Sequence, residues 1–320
     1  MINITFKDVG QGDSIIIEWN DDNKKGLGII DCNIYQEQNK VLNYISIQKI
    51  TEIEFIILSH PHYDHFSGMY ELLEYCKNNK IHIKYFIHTC SSVPDFLKSA
   101  VKGIFIQTEL HKMFRFIKDN YTKMNLGVFS VQSDSPTNYL PLSKNYKLIF
   151  LSPSYKEITE SITKSDFNEE TSGNNPKANH LATIVKLETQ EGYALFTSDA
   201  PKSALIRMDK RTPEELKNKL LLGQGPHHGA KSNHNNAFWK KRNRDVQTPI
   251  VFSVGTNGYG HVSSEAVNFF SKNDYAIFST NTEGALKSTF SRSISLSLNA
   301  FSVLKTPKHN NLQGDQSFFL

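Results

Sequence analysis

Cysteine is scarce in this chain: three residues, Cys32, Cys76 and Cys90, among 320. An odd, scattered set argues against a disulfide framework and fits a reducing compartment. None forms a Cys-x-x-Cys pair, so no thiolate zinc site is expected. Long apolar runs are missing too. No stretch of ~18 apolar residues occurs, which excludes a helical membrane span and predicts no membrane partner. The start, Met1-Ile2-Asn3-Ile4-Thr5-Phe6, lacks a basic segment followed by an apolar one. It reads as a strand rather than a signal peptide, and the expected location is the cytoplasm. Charge of one sign is also lacking: the formal balance is +4, compatible with an anionic substrate but not demanding one. The densest basic stretch, Lys240-Lys241-Arg242-Asn243-Arg244, reads first as a solvated helix end and second as a phosphate contact. No internal repeat and no basic groove with interleaved aromatics is legible.

What is there is an ordinary globular composition, 38% hydrophobic and 21% charged, with ample material for a large core. Short β-rich runs and amphipathic segments alternate, which predicts an α/β domain spanning 1–305. Strands are expected at 2–6, 14–19, 27–31, 54–58, 83–87, 128–131, 147–151, 181–187, 193–197, 250–254, 275–278 and 289–298. Helices are expected at 41–50, 69–78, 201–209, 213–219, 236–242 and 263–270. Residues 94–126 read as a helical insert. The polar stretch 152–179 reads as a long loop or flap, and 306–320 as a loose tail.

One cluster is hard to explain by packing. His60-Pro61-His62-Tyr63-Asp64-His65 follows the apolar run Phe55-Ile56-Ile57-Leu58 directly. Three imidazoles and a carboxylate within six residues, delivered by a strand to a sharp turn, have the chemistry of a metal site. Asp8-Val9-Gly10-Gln11-Gly12-Asp13 is a tight turn between strands, whose glycines allow positive φ and close backbone approach. Asp199 ends a strand, where it would serve either as a bridging carboxylate or as the N-cap of the next helix. His227-His228-Gly229 follows a short apolar run, and His261 lies in the loop Asn257-Gly258-Tyr259-Gly260-His261, where it could bind phosphate or donate a proton.

In this order the motifs resemble the metallo-β-lactamase superfamily. The pattern is similar to the soluble domain of ComEC-type DNA-uptake proteins and to phosphorylcholine esterases. The resemblance spans about residues 1 to 290 and rests on the Asp-Val-Gly-Gln-Gly-Asp turn, Ile30-Asp31, the His-x-His-x-Asp-His string, Asp199, Pro226-His227-His228-Gly229 and the segment Ser253 to His261. It implies a four-layer αβ/βα sandwich with two divalent metal ions, zinc first and manganese second. His60 and His62 would hold the first metal, Asp64 and His65 the second, and Asp199 would bridge them. His228 would complete the second, with His227 as the competing choice, and His180 is assigned as the remaining ligand of the first.

Two such ions could share a water, lower its pKa towards neutrality and neutralise charge on a phosphate oxygen. Asp64 would orient the nucleophile and His261 would serve the leaving oxygen. The expected function is a metal-dependent phosphodiesterase acting on nucleic acid, a nucleotide or another small phosphodiester. The alternatives are hydrolysis of another ester, thioester or lactone bond, or a non-enzymatic regulatory module with a vestigial site.

Overall fold

The computed structural model describes residues 1–21, 24–89, 103–163, 176–287 and 313–320. Its first half opens with three strands, β1 (Ile2–Phe6), β2 (Ile15–Asp21) and β3 (Lys24–Ile30), joined in antiparallel pairs. Helix α1 (Lys40–Ile47) follows, capped by Asn39, whose side chain accepts from the Leu42 N–H at 3.0 Å. Such a cap is worth about 1 kcal/mol. Then come β4 (Glu52–Leu58), a single turn α2 (Tyr63–Phe66), α3 (Met69–Asn78) and β5 (His82–His88). The first half ends with α4 (Ile104–Asn120) and β6 (Gly127–Ser130). Strands β3, β4, β5 and β6 pair in parallel.

The second half repeats the pattern. Strands β7 (Tyr139–Pro141), β8 (Lys147–Ser152), β9 (Ile184–Glu188) and β10 (Tyr193–Phe196) form an antiparallel series. Helix α5 (Tyr155–Thr163) and a 3-10 turn (Pro176–Leu181) lie between β8 and β9. Helix α6 (Lys202–Arg211) leads through a 3-10 turn (Pro213–Leu216) to β11 (Leu220–Gln224). Helix α7 (Asn236–Lys240), β12 (Pro249–Phe252), α8 (Ser264–Lys272), β13 (Ala276–Ser279) and β14 (Gln316–Phe319) complete the chain. Strands β10 to β13 run parallel.

The result is two seven-stranded sheets, ordered β14-β1-β2-β3-β4-β5-β6 and β13-β12-β11-β10-β9-β8-β7. Three apolar clusters fix the layering. Ile4, Phe6, Ile17, Phe55 and Ile57 of the first sheet meet Leu148, Phe150, Leu187, Phe196 and Val251 of the second. On the outer face of the first sheet, Ile56 and Leu58 pack with Val41, Leu72, Leu73 and Met113 from the helices. On the outer face of the second, Leu195 and Phe252 pack with Leu205, Trp239 and Phe270. Helices therefore cover both outer faces of a two-sheet sandwich, the αβ/βα arrangement of the metallo-β-lactamase fold. Strand β4 is buried on both faces, which is why it reads as an unbroken apolar run.

Several expectations change. Residues 213–219 make only a 3-10 turn, because Leu216 is the one buried anchor and the chain must reach β11 at Leu220. The short strand β7 went unread because Pro141 sits in it; proline is tolerated there since β7 is the edge of its sheet. The stretch 152–179 includes helix α5, and the insert includes the amphipathic α4, with Leu110, Met113 and Ile117 buried. Residues 316–319 of the expected loose tail add β14 to the open edge of β1, with Phe318 packed on Phe6 and Phe278. The expected strand at 289–298 lies outside the described residues.

Candidate metal centre

Parallel strands deliver the site. The carboxyl ends of β3, β4, β10, β11 and β12 carry Asp31, His60, Asp199, His227 with His228, and Ser253 respectively, and ligands commonly sit at such ends. The backbone is forced into left-handed conformations at Asp31, Ser198, His227 and His228, with φ of 61°, 46°, 49° and 54°. Four such non-glycine residues at one centre mark stored strain, which the surrounding packing holds in place.

Asp199 is the hub. Its Oδ2 lies 3.6 Å from His60 Nε2 and 3.3 Å from His227 Nε2. Its Oδ1 lies 3.6 Å from His65 Nε2 and 3.4 Å from His228 Nε2. Asp64 closes the second side, with Oδ2 3.5 Å from His228 Nε2 and 4.0 Å from His65 Nε2. The donor atoms of His60, His65 and Asp199 lie within 4.8 Å of one another, as do those of Asp64, His65 and His228. The His62 ring lies 4.5 Å from that of His60. The alternative role of Asp199 as a helix cap is not realised: Pro201 occupies the N-cap of α6 without a side-chain bond.

A second set of groups aims these donors. His65 Nδ1 lies 2.7 Å from Asp31 Oδ2, and Asp31 is held in turn by the Ser59 N–H and hydroxyl. His228 Nδ1 donates to the Ser253 carbonyl at 2.7 Å, and His60 Nδ1 faces the Ser59 and Ser198 hydroxyls. Each ring thereby turns Nε2 inward, the usual way a protein fixes the tautomer of a ligating histidine. Gln224 binds two segments at once: Oε1 accepts from the Thr197 and Ser198 N–H groups, and Nε2 donates to Asp13 Oδ2 at 2.8 Å. Asp13 N donates to the Asp64 carbonyl. Gly12, at φ 143°, has no room for a Cβ, which would strike that same carbonyl and Asn33.

Electrostatics follow the geometry. Burial pulls the His60 imidazole well below its usual value, helped by His65 and His62. For His65 burial acts the same way, but Asp31, Asp199 and Asp64 outweigh it and hold the ring well above its usual value. His228 is raised to about 9 by Asp199 and Asp64 against burial. Asp64 is held down at about 2 by His65 and His228, again against burial. His261, ring centroids 5.3 Å from His227 and 6.4 Å from His228, is lowered to about 4 by burial and then by those two histidines.

The atoms facing inward lack partners. His60, His65 and His228 Nε2 and Asp64 and Asp199 Oδ1 are buried with no hydrogen bond. Polar atoms rarely stay so in a folded protein. Divalent cations would satisfy the three imidazole nitrogens and the Asp199 oxygen, so these residues fit a divalent metal centre.

The structure brings His60, His62, Asp64, His65, Asp199 and His228 together. His227 joins them on the His60 side, so the two adjacent histidines stand on opposite sides of Asp199. His180 is not brought in: no hydrogen bond, ion pair or ring contact links it to the cluster among the described residues. The neighbouring Asn179 instead supports the cluster from outside, with Nδ2 3.5 Å from His227 Nδ1, the ring nitrogen that faces away from Asp199. Sequence reasoning missed Ser59, Ser198, Gln224 and Asn233; the last donates to the Asp199 and Ala200 carbonyls. Adjacency to a ligand was the only available signal, and Gln224 and Asn233 lacked even that. The basic run is largely spoken for within the fold: Arg242 is buried against Phe238 and pairs with Asp209, and Arg244 stacks on Tyr275.

The two-sheet sandwich and this donor cluster define a class by architecture alone: a metallo-β-lactamase fold with candidate His/Asp metal sites. The family model for the metallo-beta-lactamase superfamily matches residues 8–98, which carry the turn and the His-x-His-x-Asp-His string. Among solved structures, the chain is similar to the metallo-beta-lactamase fold protein YhfI from Bacillus subtilis, at 9% identity and TM-score 0.46, covering 87% of this chain and 95% of that one. It is also similar to zinc-bound PqqB from Methylobacterium extorquens, at 8% identity and TM-score 0.48, covering 87% and 97%. A long-form RNase Z from yeast aligns at 12% identity and TM-score 0.39, covering 80% of this chain and 37% of that one. No curated protein matches the chain. No described helix is long and apolar enough to cross a membrane.

Proposed function

We propose that this protein is a metal-dependent phosphodiesterase. The carrying observation is the split of Asp199, with one oxygen facing His60 and His227 and the other facing His65 and His228. In this reading His60, His62 and His227 hold one divalent ion, Asp64, His65 and His228 hold the other, and Asp199 serves both. Zinc is the first choice for such imidazole-rich sets, and manganese the second. Bound there, the pair would acidify a shared water and offset negative charge building on a phosphate oxygen.

The chain's own residues do the rest. Asp64 keeps Oδ1 free to accept a hydrogen bond from an attacking water and so orient it. His261, at the rim beside His227 and His228, donates a hydrogen bond to the leaving oxygen from a neutral ring. The slight positive balance of the chain suits an anionic substrate. The test is hydrolysis of bis-para-nitrophenyl phosphate with added zinc or manganese. His62→Ala and Asp64→Ala should lower the rate at least about a hundredfold. Equal rates for wild type and both variants would dispose of the reading. Activity on thioesters or lactones without phosphodiesterase activity would replace it.

A further inference from the structure

Beside the metal centre, and sharing His261 with it as a wall, lies an open cleft of about 600 Å³. Its other walls come from Lys231 and Ser232 after the His227-His228 turn, from Tyr259, and from the start of α8. Tyr259 is 79% exposed, an unusual position for so large a ring. The loop that carries it is nonetheless held. Asn257 accepts from the Tyr259 and His261 N–H groups through Oδ1, and donates to the Gly255 and His261 carbonyls through Nδ2. A Cβ added at either flanking glycine, Gly258 or Gly260, would meet nothing within 4 Å, so the space around the loop is open. It lies 5.6 Å from the His261 ring, tilted by 34°.

Apart from His261, whose Nδ1 has no partner, the polar side chains named on these walls are already engaged. Lys231 pairs with Glu265, and Ser264 Oγ donates to the same carboxylate. Ser263 Oγ caps α8 at Ala266, and Ser232 Oγ donates to Asn233. No unmatched cation remains on these walls to attract a second phosphate. What the cleft offers is a free aromatic face, a ring edge from His261 and a neutralised ion pair. That combination suits a flat, uncharged group with hydrogen-bonding edges, held next to the phosphate under hydrolysis.

We propose that this cleft is a nucleobase subsite in which Tyr259 is the stacking platform. The substrate of the proposed phosphodiesterase is then a nucleotide ester, with one base on Tyr259 and its phosphate at the metal centre. The inference rests on that reading for its chemistry, but it can be tested by binding alone. Stacking of a base on an aromatic side chain tolerates any base, so recognition here should be broad in sequence.

The experiment compares AMP with ribose 5-phosphate, which lacks the base, by calorimetry on the protein as purified. Wild type should bind AMP on the order of tenfold more tightly than ribose 5-phosphate. Tyr259→Phe should keep that ratio and Tyr259→Ala should abolish it; the exposed position makes misfolding no explanation. Equal binding of the two ligands by wild type, or a ratio that survives in Tyr259→Ala, overturns the subsite. Tighter binding of phosphocholine than of AMP overturns it too, by assigning the ring to a quaternary ammonium. Hydrolysis of bis-para-nitrophenyl phosphate, measured in parallel, reports on the phosphodiesterase reading separately. A protein that hydrolyses it yet ignores the base loses only the subsite.

Discussion

Asp31 never faces the centre of the cluster, yet the orientation of His65 depends on it. Replacing it with Asn removes the charge that holds His65 Nδ1 and weakens the grip on Ser59. Asp31→Asn should therefore weaken metal binding by about 10- to 100-fold, measured by zinc titration against a competing chelator, while circular dichroism stays native. A second residue-scale expectation concerns His234, whose ring packs edge-on against Phe269 and Phe270. Burial lowers it to about 4, with Lys202 adding to the effect and Asn236 and Glu265 opposing it. As pH falls, the unfolded chain takes up the proton first. The stability contributed by the neutral ring is complete above pH 6.5 and is lost between 6.5 and about 4. His234→Leu should flatten that part of the urea-stability profile, by up to about 3 kcal/mol at its acid end. An unchanged slope would remove His234 from the account.

At the scale of elements, β14 ties the two sheets together at one edge. Phe318 meets Phe6 of its own sheet and Phe278 of the other, with ring centroids 6.3 and 5.0 Å away. Phe318→Ala should cost about 2 kcal/mol by denaturant unfolding, roughly half the loss for a fully buried phenylalanine. A change within experimental error would mean the strand is only laid on the surface. This strand was illegible in the sequence because Ser317 and Gln316 look polar and its pairing partner lies more than 300 residues away. By contrast β4 and α3 were plain from local pattern: an apolar run for one, and Met69, Leu72, Leu73 and Cys76 on a single face for the other. The His-rich turn was legible for the same reason, since its residues are contiguous. The support Asn179 gives to His227 was not, because the two residues lie 48 positions apart in the chain.

Across the whole molecule, the two sheets follow the same plan, antiparallel strands followed by parallel ones, although no repeat is visible in the residues. The ligand candidates divide accordingly. His60, His62, Asp64 and His65 come from the first sheet, and Asp199, His227 and His228 from the second. Ions bound between them would favour the packed state over the unfolded one by mass action. Chelation should accordingly lower Tm by several degrees, and zinc should restore it; identical melting curves in both conditions would argue that no metal links the halves.

The division of donors also sets an order of events during synthesis. A ribosome that has released only the first hundred residues has released a half-set of ligands, too few to retain a cation firmly. On the proposed metal reading, capture would wait until His228 has left the exit tunnel and the second sheet has docked. Loading would thus act as a late checkpoint, closing a clasp only on molecules whose two halves have already met.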